Sequence, residues 1–210
     1  MRIIGGTAGG RIIKVPAGLG VRPTPDLVRQ ALFNSLGGRV PDARVLELFG
    51  GSGALSLECL SRGAREAVCV ELSAKHARFI RDNASLAGLS AGFSLRVQDV
   101  FTAIPQLAAA NVRFDLILAD PPYGEKNVGA RSRSLAQRLL DEPQLPLLVA
   151  PEGRVVVGHA KRDTVDIPPA WELVKELRHG DSIMKVLAVA ALPAPGVETA
   201  APAGGESEAG

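Results

Sequence analysis

From Arg44 onward, apolar residues recur in two alternating patterns. Short runs dense in Val, Leu, Ile and Phe have the length and content of strands buried on both faces: "RVLELF" (44–49), "AVCVEL" (67–72), "FSLRVQD" (93–99), "FDLILAD" (114–120) and "RVVVGHA" (154–160). Between them, "ALSLECLSRG" (54–63), "SAKHARFIRDNASLAG" (73–88), "VFTAIPQLAAA" (100–110) and "SLAQRLLDE" (134–142) carry apolar residues at helical spacing. Ser73 is placed to cap the second of these helices. "WELVKELRHG" (171–180) and "SIMKVLAVA" (182–190) read as a closing pair of strands joined by a tight turn. Strands alternating with helices predict a doubly wound α/β domain, its mostly parallel sheet covered on both faces, with an antiparallel edge from the hairpin.

Upstream, "RIIGG" (2–6) and "GRIIKVP" (10–16) flank a Gly-rich turn and predict a β-hairpin. A helix follows in "RPTPDLVRQALFNSL" (22–36), with Thr24 as its N-cap, Pro25 in its first turn and Gly37-Gly38 at its end. The expected organisation is a hairpin and helix extension (1–42), one core domain (43–190) and a tail (191–210). The tail has too few large apolar residues to pack and is expected to be disordered.

Composition adds location and partners. No apolar run reaches the roughly 18 residues that a membrane helix needs, and the N-terminus lacks a signal-peptide pattern, so a cytoplasmic protein without membrane contact is expected. A monomer is expected, although the residues themselves carry no signal for oligomeric state. Cys59 and Cys69 lack metal-ligand spacing and read as reduced core residues; His76, His159 and His179 likewise share no metal spacing. The formal charge of +2 is unevenly spread. Residues 1–44 hold seven bases against Asp26 and Asp42, whereas the tail holds only Glu198, Glu206 and Glu208 as charges. Positive charge concentrated at one end suggests contact with a polyanion.

Candidate chemistry lies where strands end. "ELFGGSGALS" (47–56) is a glycine turn between the first strand and its helix, the position at which doubly wound sheets bind ligands. Starting at Gly51, it lacks the third glycine of a dinucleotide fingerprint, and Glu47 would add negative charge beside a pyrophosphate. Glu71 ends the second strand, suited to a ribose diol, and Asp99 ends the third, within reach of an adenine. With Asp120, four acids stand at carboxyl ends of strands. They favour a cationic nucleoside ligand without phosphate, and S-adenosylmethionine has that chemistry.

"DPPY" (120–123) completes the pattern. The amine of a nucleobase is a poor nucleophile because its lone pair is delocalised into the ring. Asp120 and the Pro121 carbonyl can each accept one N–H and so direct the lone pair at a methyl donor. Pro121 and Pro122 restrict the backbone that carries this carbonyl, and Tyr123 can stack on an extruded base, worth about 1–3 kcal/mol. Asp120 is expected to orient the amine and stabilise charge first and to act as a base second, with a nearby cation keeping its pKa low.

"ELFGGSG", Glu71, "QD" at Asp99 and "DPPY" resemble the successive motifs of the Rossmann-like S-adenosylmethionine-dependent methyltransferases. Joined to "MRIIGGTAGGRIIKVP…VRPTPDLVRQALFNSL", they are similar to one family, the bacterial 16S ribosomal RNA guanine-N2 methyltransferases. This resemblance implies a seven-stranded sheet and a cofactor site that includes Phe49, in which Glu47, Gly51 and Gly53 cradle the methionine part. It also implies Glu71 on the ribose, and Asp99 with Val100 on the adenine. The implied partner is 16S rRNA or the assembling 30S particle. Arg2, Arg11 and Lys14 of the hairpin, Arg22 and Thr24 of the "RPT" stretch, and Arg131 and Arg133 beyond the motif are the expected RNA or substrate contacts. Arg138 could extend that surface. Three alternatives stand beside this reading: a DNA adenine-N6 methyltransferase, since the Asp-Pro-Pro-Tyr chemistry serves either amine; a nicotinamide oxidoreductase; and an RNA-binding module without catalysis.

Overall fold

The computed structural model describes residues 1–15, 24–123 and 131–191. Arg22 and all of the expected tail beyond Ala191 lie outside them. The strands are β1 (Arg44–Leu48), β2 (Glu66–Glu71), β3 (Phe93–Val97), β4 (Phe114–Ala119), β5 (Val149–Ala160), β6 (Trp171–His179) and β7 (Ser182–Val189). They form one sheet in the order β3-β2-β1-β4-β5-β7-β6. The pairings from β3 to β5 are parallel, and β7 runs antiparallel to both β5 and β6. Chain order reverses between β1 and β4, which opens a crevice at the carboxyl ends of those strands.

The helices are α1 (Asp26–Leu36), α2 (Ala54–Ser61), α3 (Ala74–Leu86), α4 (Val100–Ala109) and α5 (Leu135–Leu140). One apolar layer joins α4 and α5 to the sheet through Ile104, Leu107, Leu139, Val155 and Trp171. The opposite face packs on α1 and α2 through Leu32, Phe33, Leu55, Leu116 and Met184. β1 and β4 are buried nearly throughout, whereas the edge strand β3 is largely open, which is why "FSLRV" carries Ser94 and Arg96. Cys59 and Cys69 are buried and unpaired, and burial pushes both thiols well up. Among the described residues no helix is long and apolar enough to cross a membrane.

The N-terminal segment keeps the expected hairpin in a reduced form. Its arms share one antiparallel bridge, Arg2 with Ile12, and the Ile3 and Ile13 N–H groups donate across it to the Arg11 and Met1 carbonyls, both at 3.0 Å. All eight residues of α2 are buried, Ser56, Glu58 and Ser61 included, since residues 1–15 cover its outer side. The Glu58 carboxylate accepts the N–H groups of Ile4 and Gly5 at 2.8 and 2.9 Å, and Ser61 Oγ accepts that of Ala8 at 2.9 Å. Gly6 has φ +77°, and a Cβ there would stand 1.8 Å from the Ser61 carbonyl oxygen, so only glycine permits this approach. Ile3 and Ile13 complete a small core with Leu57, Ala84 and Ala87. Arg29, fully buried in α1, donates to the Arg2 carbonyl at 2.6 Å and to Asp26 at 2.7 Å. The segment is thereby tied to α1, α2 and α3.

Candidate active site

A cavity of about 780 Å³ opens along the carboxyl ends of the strands, at the point of reversal. One half is built by the loops after β1, β2 and β3. Phe49 and Gly51 both take left-handed backbone conformations, φ +62° and +57°, at the end of β1. A non-glycine residue in that region is strained, and Phe49 holds it where its ring can enter the cavity. Glu71 Oε2 accepts the Gly51 N–H and Oε1 the Ser73 N–H, both at 2.7 Å, which pins the glycine turn against the end of β2. His76 Nδ1 lies 3.4 Å from the same carboxylate. Asp99 caps α4 by accepting the Phe101 N–H at 2.8 Å. Phe101 packs edge-on against Phe49, with ring centroids 6.3 Å apart, and the Arg138 guanidinium lies 3.7 Å from its ring centroid.

The other half belongs to β4, β5 and the β6–β7 turn. Asp120, Pro121, Pro122 and Tyr123 all line the cavity. Asp120 Oδ2 accepts a hydrogen bond from the Thr24 hydroxyl, and Oδ1 is buried without a partner among the described residues. Burial pushes the Asp120 carboxyl up to about 6, and the Thr24 hydrogen bond pulls the other way. No cation among the described residues holds it low, so the low pKa expected from sequence does not arise from the protein itself. Gly158 of β5 makes the room: a Cβ there would sit 2.4 Å from Asp120 Oδ1. The Tyr123 hydroxyl donates to Ser182 Oγ at 2.7 Å, fastening its ring to the start of β7.

Of the residues expected around a cofactor, Phe49, Gly51, Glu71, Asp99 and Val100 line the cavity, while Glu47 and Gly53 stand behind it. Glu47 is buried beneath α2, where Oε1 and Oε2 accept the Leu55 and Ser56 N–H groups at 3.2 and 3.0 Å. Its acid serves the positive start of that helix, and burial lifts its carboxyl to about 7 against those hydrogen bonds. Gly53 (φ +74°) leaves space for Ile80, which a Cβ would meet at 2.9 Å. Thr24 does not cap α1; Pro25 occupies the cap position with no side-chain hydrogen bond, because the Thr24 hydroxyl is committed to Asp120. Ser73 does cap α3, accepting from the His76 N–H at 3.3 Å.

Of the expected RNA contacts among the described residues, none lines the cavity. Arg2, Arg11 and Lys14 are exposed, with Arg2 beside Asp26 at 3.3 Å and Arg11 donating to the Ala87 carbonyl at 2.5 Å. Arg133 is exposed, but Arg131 is paired with Asp141 at 2.6 Å and Asp166 at 3.7 Å, so its charge is largely balanced. Sequence reading missed Leu72, Phe101, Arg162 and Asp181, which also line the site, and Gly158 behind Asp120. Only Gly158 left a signal: one glycine inside the apolar run "VVVGHA" marks a close approach.

The residues present fit S-adenosylmethionine. Two strand-end acids face a cavity large enough for a nucleoside, with apolar walls from Phe49, Val100 and Phe101. The family described as conserved hypothetical protein 95 matches residues 1–188. The putative rRNA methyltransferase YlbH of Bacillus subtilis (strain 168) is 32% identical over 168 residues, covering 80% of this chain and 86% of that protein. The ribosomal RNA small subunit methyltransferase D of Escherichia coli (strain K12) is 41% identical over 123 residues, 59% of this chain and 60% of that protein. A solved hypothetical protein of Thermus thermophilus superposes with a TM-score of 0.73 at 32% identity, covering 90% of this chain and 99% of the other. Family match, fold and site chemistry agree: this chain belongs to the conserved hypothetical protein 95 family, a family of Rossmann-like, S-adenosylmethionine-dependent rRNA methyltransferases.

Proposed function

We propose that this protein methylates the exocyclic N2 of one guanine in 16S rRNA, taking naked RNA or the assembling small subunit as its partner. The observation that carries the reading is the shared cavity: the strand-end acids Glu71 and Asp99 face the same space as Asp120 and the Pro-Pro-Tyr segment. Glu71 and Asp99 hold the nucleoside end of the cofactor, and Phe49 and Gly51 line its path toward Asp120. S-adenosylmethionine, when bound, supplies an electrophilic methyl group.

The chain's own residues do the rest. Asp120 is buried, and Thr24 engages only one of its oxygens, so its carboxylate retains acceptor capacity for a substrate N–H. The Pro121 carbonyl takes the second N–H, which turns the nitrogen lone pair out of conjugation. Positioning of this kind can supply about 7–11 kcal/mol of the barrier in favourable systems. With its carboxyl raised to about 6, Asp120 is ionised near neutrality yet more basic than an ordinary carboxylate. That suits it to take the proton the alkylated amine sheds. Tyr123, anchored through Ser182, provides a face on which a base taken out of its stack can rest. Arg2, Arg11, Lys14 and Arg133 supply exposed positive charge for phosphates, without reading sequence.

The test is to incubate the protein with methyl-labelled cofactor and immature 30S particles, protein-free 16S rRNA or duplex DNA, then digest to nucleosides. N2-methylguanosine in the rRNA is expected. Label found only as N6-methyladenosine, or only in DNA, overturns the proposal.

A further inference from the structure

Arg162 and Asp181 stand in the acceptor half of the cavity with their charges unspent. Arg162 lies two residues past the end of β5, and Asp181 sits in the turn that starts β7. Because β7 runs antiparallel to β5, with Ala160 opposite Ser182, both residues arrive at the same rim. The Lys161 N–H donates to the Asp181 carbonyl at 2.7 Å, tying the two segments together. The Tyr123–Ser182 hydrogen bond brings the ring of Tyr123 to this turn. Both charged residues line the cavity and are exposed. Among the described residues neither forms an ion pair or a side-chain hydrogen bond, with each other or with any neighbour.

That arrangement matches one edge of one base. A guanine whose N2 is held at Asp120 presents, next along its Watson–Crick edge, the N1–H donor and then the O6 acceptor. A carboxylate answers the first and a guanidinium the second. An adenine held by N6 offers only acceptor nitrogens on either side, so a carboxylate there faces a lone pair. We infer that Asp181 and Arg162 are the specificity-determining residues of the acceptor site, with Asp181 accepting the guanine N1–H and Arg162 donating to O6. This rests on the guanine-N2 reading above and goes beyond it by assigning the groups that choose guanine.

The test uses a small-subunit RNA substrate in which the mapped target guanine is replaced by 2-aminopurine. That base keeps the 2-amino group but lacks both N1–H and O6. The wild-type protein is expected to prefer guanine by about 10- to 100-fold in kcat/KM, the range for losing hydrogen bonds to charged partners. In Asp181→Ala and in Arg162→Met, which keep no acceptor for N1–H and no donor for O6, the guanine rate falls while the 2-aminopurine rate holds, so the ratio shrinks to about 3- to 10-fold in each and to near unity in the double variant. S-adenosylhomocysteine affinity should be unchanged in both variants, which separates lost recognition from misfolding. Equal wild-type rates on the two bases overturn this inference and leave guanine-N2 methylation standing. A ratio that survives unchanged in Asp181→Ala overturns it as well. Equal losses on both bases in Arg162→Met overturn its O6 contact and reassign Arg162 to a phosphate. Failure of the wild type to methylate the guanine substrate at N2 overturns the underlying function instead.

Discussion

The two halves of the cavity are held by different kinds of contact. In the cofactor half the acids bond to backbone groups close by in sequence: Asp99 to Phe101, Glu71 to Ser73 and, across one strand–helix unit, to Gly51. In the acceptor half the partners are remote. Thr24 reaches Asp120 across 96 residues, and Tyr123 reaches Ser182 across 59. A local turn re-forms wherever its unit folds, but a contact of long sequence separation requires the whole sheet and the N-terminal segment to be assembled first. The half of the cavity lined by Glu71 and Asp99 is therefore a property of the contiguous β1-to-α4 segment, whereas the surroundings of Asp120 exist only in the finished molecule.

The sharpest break in that comparison is at Asp120. Replacing it with Ala removes the amine acceptor and should lower the single-turnover methylation rate by at least about 100-fold, while the dissociation constant for S-adenosylhomocysteine stays within about twofold of wild type. Glu71→Gln should do the converse. It keeps the shape, halves the acceptor capacity toward backbone and ribose, and weakens S-adenosylhomocysteine binding by about 10-fold, read by calorimetry, with a smaller effect on the rate at saturation.

Thr24→Val probes the long-range tie alone. The Thr24 hydrogen bond pulls the Asp120 pKa down against burial, so its loss raises that pKa further above the present value of about 6. The acid limb of the kcat profile, where a protonated Asp120 no longer accepts an N–H, should therefore move to higher pH. An unmoved limb would separate Asp120 from the titration. In stability terms the sign is the reverse of a salt-bridged carboxylate. The raised pKa favours the folded state below about 4 and loses that contribution as pH rises through about 6.

The smallest effect concerns the exposed N-terminal bases. Replacing Arg11 and Lys14 with Gln should reduce the slope of log K against log salt for RNA binding by about 1–2, leaving cofactor binding untouched. An unaltered slope would remove this face from the interface.

How much could be read in advance follows the same division. β1, β2 and β4 were legible because "RVLEL", "EAVCVE" and "FDLILA" are apolar runs whose burial demands a two-faced sheet. Glu71, Asp99 and Asp120 were legible because each sits where such a run stops. The motif did not show that Glu47 lies under α2 or that Gly53 makes room for Ile80, so that neither lines the cavity. The N-terminal β-branched residues signalled the hairpin, but not that the buried acid and hydroxyl groups of α2 would take the N–H groups of Ile4, Gly5 and Ala8.

The amino-acid order alone determined the doubly wound class, the glycine turn, the strand-end acids and the Asp-Pro-Pro-Tyr segment, since hydrophobic period and turn chemistry act over a few residues. Only the folded chain decided that Thr24 engages Asp120, that Gly158 gives it room, and that Arg162 and Asp181 share its cavity. These residues come from separate stretches of the chain. No local rule links them; they meet because an antiparallel β7 returns to the same edge of the sheet at which the parallel strands end.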